Sequence, residues 1–200
     1  MSILAEFSDV SPVPQDDGAN PVCAIKYRDE FRGAMDVFRA ILRSGEKSER
    51  VVRLTECLLN MNAANYTVWQ YRRDCLTALA LDPSQEFDFM DRFAESNPKN
   101  YQIWYHRRAI TERSGDASRE LAFVNRVFEE DAKNYHAWAH RQWVVKTFGQ
   151  WEGELNTIEV CLCVMLRSQI LAVLPVLPVC LCFLELALLY GPSNTPLTLL

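Results

Sequence analysis

The sequence predicts an all-α fold, a superhelical solenoid of antiparallel helix pairs that stops before its last pair is complete. Three observations predict the helix pairs. First, Asn65-Tyr66-Thr67-Val68-Trp69, Asn100-Tyr101-Gln102-Ile103-Trp104 and Asn134-Tyr135-His136-Ala137-Trp138 are near-copies of one another. Second, their tryptophans are 35 and 34 residues apart, a period at which helical hairpins stack. Third, the apolar residues between the copies recur at spacings of three and four, the period of an amphipathic helix.

Residues 1–24 carry Pro12, Pro14, Asp16, Asp17, Gly18 and Pro21 with little apolar periodicity, and are expected to be disordered. From Tyr27 the pattern turns helical, with Phe31, Met35, Phe38 and Leu42 on one face and Ser44-Gly45 as the stop. A second helix begins near Ser48 and is expected to bury Val51, Leu54, Leu58 and Met61. Asn65 then caps a helix that carries Trp69, Arg72, Leu76 and Leu79 and ends before Asp82-Pro83.

The next unit repeats this plan. Phe87, Met90 and Phe93 face inward, Asn97-Pro98 breaks the chain, Asn100 caps the following helix and Gly115 closes it. The third unit uses Leu121, Val124 and Val127 or Phe128, then Asn134 as cap, then Trp138, Arg141, Val145 and Phe148. A fourth unit opens at Trp151, where Glu154-Leu155 falls in register with Glu120-Leu121 and Glu86-Phe87. Its continuation fails, because Ser168 and Ala172 stand where an Asn and a Trp are due. The expected organisation is therefore a lead-in over 1–24, a helical-hairpin repeat domain over 25–159 and an apolar non-repeat tail over 160–200.

In each copy an arginine follows the tryptophan by three residues, giving the pairs Trp69–Arg72, Trp104–Arg107 and Trp138–Arg141. That spacing sets the two on adjacent turns of one face, where the guanidinium can lie on or beside the indole. These six residues read as inter-repeat packing, with the arginines tying neighbouring units together.

Composition sets the outer limits on function. A net charge of -5 gives no support for general nucleic-acid binding. The start of the chain has neither a basic nor an apolar signal region, which disfavours secretion and points to a cytoplasmic protein. Seven cysteines, none spaced with histidines as a zinc site, read as reduced thiols, with no metal held by this chain. The run from Ile170 to Leu184 is 15 residues, short of the roughly 20 that span a bilayer, and Pro175 and Pro178 interrupt it. Membrane association through the tail is disfavoured on these grounds.

The three copies, with the Lys99 and Lys133 that precede two of them and the His140-Arg141-Gln142-Trp143 that follows the third, resemble the alpha subunit shared by protein farnesyltransferase and type I geranylgeranyltransferase. The resemblance covers roughly residues 25 to 159. It implies a right-handed crescent of hairpins wrapped around a separate beta subunit, which holds the catalytic zinc and most of the isoprenoid pocket. Magnesium is implied for the complex as well. The implied substrates are an isoprenoid diphosphate and proteins ending in a CaaX box.

Residue by residue, the resemblance implies that Lys99 contacts the diphosphate with Tyr101 beside it, and that Tyr135 and His136 line the same region. Gln102 matches a residue that binds the peptide carboxylate, and Ala64 and Tyr66 match positions near the pocket for the last peptide residue. Family members continue with further repeats, so the chain is expected to be truncated relative to them. The helical period alone also admits a non-enzymatic scaffold of tetratricopeptide type, although Trp with paired Arg replaces that repeat's signature. The alpha subunit of the Rab-specific enzyme is the remaining alternative, disfavoured by the Asn-Tyr openings of all three copies.

Overall fold

The computed structural model describes residues 3–167, with side chains to residue 160. The described residues form a short 3-10 helix and eight α-helices, with no strand among them. The helices are α1 (Asp29–Ser44), α2 (Glu49–Met61), α3 (Tyr66–Ala78), α4 (Pro83–Ser96), α5 (Tyr101–Ser114), α6 (Glu120–Glu130), α7 (Tyr135–Phe148) and α8 (Glu154–Arg167). α2–α3, α4–α5 and α6–α7 are the three helix pairs, and α8 opens a fourth. Two compact units divide the chain between Glu86 and Phe87.

The predicted caps are in place. Asn65 accepts from the Val68 N–H, Asn100 from Gln102, and Asn134 from both His136 and Ala137. Gly45, Gly115 and Gly149 end α1, α5 and α7 at φ of 72°, 69° and 69°, the left-handed conformation in which a Cβ would be strained.

In the first unit the core lies between α1, α2 and α3, with Phe38, Leu54, Leu58, Leu59, Val68 and Trp69 fully buried. The buried stripe of α1 is Ala34, Val37, Phe38 and Ile41, not the Phe31–Met35–Phe38–Leu42 face expected from spacing. Apolar residues fill two overlapping stripes of this helix, and the one that α2 meets is buried; Leu42 stays 38% exposed. Met61, expected inside, is likewise exposed at the end of α2.

Within the lead-in expected to be disordered over 1–24, residues 3–13 are held against the helices of the first unit. Ile3–Phe7 form the 3-10 helix, which packs on α1 and α2 and buries Phe7 to 2% exposure. Leu4 approaches so closely that a Cβ at Gly33 would meet its Cδ1 at 3.4 Å. Arg50 binds Asp9 at 2.7 Å and Arg53 binds Glu6 at 2.6 Å. Further on, the Val13 N–H donates to the Asp36 carbonyl and Arg39 Nε donates to Val13 O, both at 2.9 Å. A helix-period search does not find this segment, since Phe7, Leu4, ion pairs and hydrogen bonds hold it without a repeating apolar stripe.

In the second unit, Phe87, Met90, Phe93, Ile103, Trp104, Phe123, Val124, Phe128 and Trp138 make the core. α6 buries Phe123, Val124 and Phe128, while Leu121 and Val127 are half-buried. α8 runs on to Arg167, through the expected boundary between residues 159 and 160. The register break at Ser168 and Ala172 and the apolar run Ile170–Leu184 lie outside the described residues. No helix among the described residues is long and apolar enough to cross a membrane.

One polar device recurs in every copy. Arg72 donates Nε and Nη2 to the two carboxylate oxygens of Glu86 at 2.8 and 2.7 Å. Arg107 does the same to Glu120, both at 2.9 Å, and Arg141 to Glu154 at 2.8 and 2.5 Å. The remaining nitrogen of each fork reaches back to the preceding helix. Arg72 Nη1 meets Thr55 Oγ1, Arg107 Nη1 meets Asp91 Oδ1 and Arg141 Nη1 meets Asn125 Oδ1. Each arginine thus binds the helix before it and the helix after it. The partner on the following helix is a carboxylate in all three, and Arg107 also lies 3.5 Å over the ring of Phe123. Among the described residues, no buried side-chain nitrogen or oxygen lacks a partner.

Candidate functional site

The links between helix pairs are short and built alike. The indole N–H of Trp69 donates to the Ala63 carbonyl, that of Trp104 to Pro98 and that of Trp138 to Ala132, each at 2.8 Å and six residues back. Each core tryptophan therefore fixes the backbone of the link that precedes its own helix. The sequence reading assigned these tryptophans to packing and did not foresee that bond.

In the second unit the two links are also joined to each other. Asn134 Nδ2 donates to the Pro98 carbonyl at 3.0 Å, so that oxygen accepts from Trp104 and Asn134 together. The peptide bond just ahead of Lys99 is held by side chains from two different repeats. Asn134 is itself 2% exposed and uses its other amide atom as the cap of α7. α5 and α7 pack side by side, which brings their N-termini to one edge of the unit.

Four of the predicted site residues meet at that edge. Tyr101, 73% exposed, stands edge-on to the ring of His136 with centroids 4.3 Å apart. His136 lies nearly parallel to Trp104 at 6.3 Å and has Tyr135 at 5.9 Å. Burial pushes the His136 imidazole below its usual range, opposed by a hydrogen bond to the Lys99 backbone. Lys99 reaches out from the link, its Nζ 3.0 Å from Asp131 Oδ2. Gln102 follows on the first turn of α5 and is half-buried. Ala64 and Tyr66 belong to the first unit, where Asn62 Oδ1 accepts from the Ala64 N–H at 3.1 Å and Tyr66 is 71% exposed.

Two helix N-termini with a lysine, exposed tyrosine hydroxyls and an imidazole suit an anion, because unpaired N–H groups and the helix dipoles favour negative charge there. The set contains no nucleophile with an adjacent base. No group of three or more His, Cys, Asp or Glu that could hold a metal occurs among the described residues. Asp131, Asn134 and the Pro98 carbonyl are the members that sequence reasoning missed. Their periodic positions were visible, but a contact between links 36 residues apart has no signal in spacing.

The fold and this edge define a helical-repeat protein whose pairs present polar links at their ends. The protein prenyltransferase alpha subunit repeat matches residues 48–79, 83–114 and 117–148, so the chain carries three copies of that repeat. It is 54% identical over 95 residues to the protein farnesyltransferase/geranylgeranyltransferase type-1 subunit alpha of Arabidopsis thaliana. That match covers 48% of this chain and 29% of the relative. The geranylgeranyl transferase type-2 subunit alpha of Bos taurus is 32% identical over 80 residues, covering 36% of this chain and 14% of the relative. Among solved structures, Candida albicans protein geranylgeranyltransferase-I complexed with GGPP superposes with a TM-score of 0.72 at 31% identity. That superposition takes in 80% of this chain and 56% of the other. The chain thus spans about a third or less of these two curated relatives and just over half of the structural one.

Proposed function

We propose that this chain acts as the alpha subunit of a heterodimeric protein prenyltransferase of the farnesyl or type I geranylgeranyl kind, working in the cytoplasm. The observation that carries this reading is the meeting of Lys99, Tyr101, Tyr135 and His136 where α5 and α7 begin. The higher identity to a type-1 than to a type-2 alpha subunit favours CaaX substrates over the Rab-specific reaction.

In the proposed reaction the cysteine of a CaaX peptide, its thiol proton released to solvent, attacks C1 of an isoprenoid diphosphate as the thiolate. A thioether bond forms, the C–O bond breaks, and diphosphate leaves with the electron pair. Negative charge grows on the leaving group in the transition state, so donors fixed in advance around it lower the barrier. Lys99 supplies the full positive charge, and Tyr101 and Tyr135 supply hydroxyl donors beside it. His136 packs between them and adds a second cation if the bound diphosphate draws a proton onto it. Gln102, Ala64 and Tyr66 are assigned to the peptide end. Zinc, which would activate the sulfur, would be held by the beta subunit, and magnesium is implied for the complex.

Co-expression with a prenyltransferase beta subunit tests this reading. A co-purifying complex that prenylates a CaaX peptide is the expected result. Failure to co-purify under conditions where a full-length alpha subunit does so would mean that this chain is not a working subunit.

A further inference from the structure

The position that opens each link is filled in register by Asn62, Asn97 and Asp131, 35 and 34 residues apart. Only the third is a carboxylate. Its turn-forming work does not call for a charge: Asp131 Oδ1 accepts from the Lys133 N–H at 3.0 Å, and Asn62 Oδ1 makes the equivalent bond to Ala64 at 3.1 Å. An asparagine serves that local role equally well. The charge is placed instead to reach across repeats, because the second oxygen, Oδ2, lies 3.0 Å from Lys99 Nζ.

Asp131 is tied to its surroundings at three points. Its backbone N–H donates to Val127 O, its carbonyl accepts from Asn134 N, and one carboxylate oxygen is committed to the Lys133 amide. Its side chain is 33% exposed against 72% for that of Lys99. A free lysine samples many rotamers, and a flexible cation stabilises a developing charge poorly, since it must be ordered at the moment of reaction. An ammonium has three N–H donors, so one can point at Asp131 while the others face an anion.

We propose that Asp131 is a positioning residue that holds the Lys99 ammonium at the edge where α5 and α7 begin. This inference rests on the reading of Lys99 as the diphosphate contact. It carries an opposing consequence for binding, because the carboxylate is a negative charge close to the place where an anion arrives. Removing the charge should ease binding of the anion while loosening the cation that acts on it, whereas a purely structural residue would weaken both together.

The test is Asp131→Asn, which keeps the turn found at Asn62 and removes only the charge, in the complex of this chain with a beta subunit. Single-turnover transfer is expected to slow about five- to tenfold, the order of effect of freeing one ordered lysine. Affinity for geranylgeranyl diphosphate should be unchanged or tighter, and the melting temperature unchanged. A single-turnover rate within about twofold of the parent overturns the proposal, as does a parallel fall in rate, affinity and melting temperature. Lys99→Ala is measured beside it. If Lys99→Ala slows transfer and Asp131→Asn does not, the positioning role alone fails. If Lys99→Ala leaves the rate unchanged, the reading of Lys99 fails and the positioning role falls with it.

Discussion

Arg107 and Glu120 face each other inside the second unit as a fork on a carboxylate, with two parallel hydrogen bonds of 2.9 Å and side chains 1% and 0% exposed. Two charges this deeply buried cost several kcal/mol to desolvate, and their mutual geometry offsets that cost only while both are present. Arg107→Ala should therefore lower the unfolding free energy by about 3–5 kcal/mol, leaving the Glu120 carboxylate in the core with its charge unpaired and His140 as its remaining hydrogen-bond partner. The double variant Arg107→Met with Glu120→Leu should recover part of that loss, short of all of it because His140 then lacks its Glu120 acceptor. Urea unfolding of the three proteins checks it. A double variant as unstable as the single one would show that the pair itself, and not the orphaned charge, carries the stability.

Asn134 separates two roles that one substitution can split. Aspartate caps a helix about as well as asparagine, so Asn134→Asp keeps the bonds to the His136 and Ala137 amides. It cannot donate to the Pro98 carbonyl, and sets an acceptor against an acceptor at 3.0 Å. The expected cost is about 1–3 kcal/mol despite the intact cap. Amide exchange should rise at Lys99 and Asn100 and stay unchanged at the end of α7. Uniform exchange across α7 would point to loss of the cap instead.

These two pairs also mark how far the sequence could be read. Local features were legible: Asn caps, glycine stops and the apolar stripes of α2 and α4 each follow from residues within one or two turns. The Glu86, Glu120 and Glu154 register was visible too. Its meaning was not, because each glutamate meets an arginine 13 or 14 residues earlier across a helix pair, and helical periodicity says nothing of contacts between helices. The same limit hid Asp131, whose partner Lys99 belongs to another link. Phe7 was missed for a different reason. An anchor held without a repeating apolar stripe has no period to detect.

His140 gives the stability a pH dependence whose sign can be worked out. It is buried, with Nε2 2.5 Å from Glu120 Oε2. Burial holds the imidazole below its usual value of 6.5; the bond to Glu120 opposes this, and the charges of Arg107 and Arg108 add to it. Glu120 is raised by burial, but His140 and Arg107 outweigh that and leave its carboxyl below the usual 4.5. An ionised carboxylate only accepts, so the neutral ring donates its Nε2 hydrogen to it. A folded value below the unfolded one means that the unfolded chain takes up the proton first. The contribution is therefore complete above pH 6.5 and is lost as pH falls below it, with Glu120 adding a further loss below 4.5. The melting temperature should fall between pH 7 and 5, and His140→Gln, which can still donate, should flatten that slope. An unchanged slope would place the sensitivity elsewhere, with the half-buried His136 as the next histidine to replace.

The last prediction concerns the charge on Lys99. In the proposed reaction the ammonium is worth most when the C–O bond is breaking, because diphosphate carries more negative charge on its departing oxygen then than in the bound substrate. Lys99→Ala removes an interaction that strengthens toward the transition state, so transfer should slow more than binding weakens. Loss of one preorganised donor at such a position typically costs about a hundredfold or more in the chemical step. The peptide contacts are assigned to Gln102, Ala64 and Tyr66, none of which bonds to Lys99 in the described structure, so peptide affinity should hold within about twofold. Folding should hold as well, since the side chain is 72% exposed and its ion pair with Asp131 lies at the surface. Single-turnover kinetics against equilibrium binding of peptide and geranylgeranyl diphosphate separates the two effects. A variant that binds the diphosphate much more weakly yet transfers it at the parental rate would make Lys99 a substrate-capture residue with no part in the chemical step.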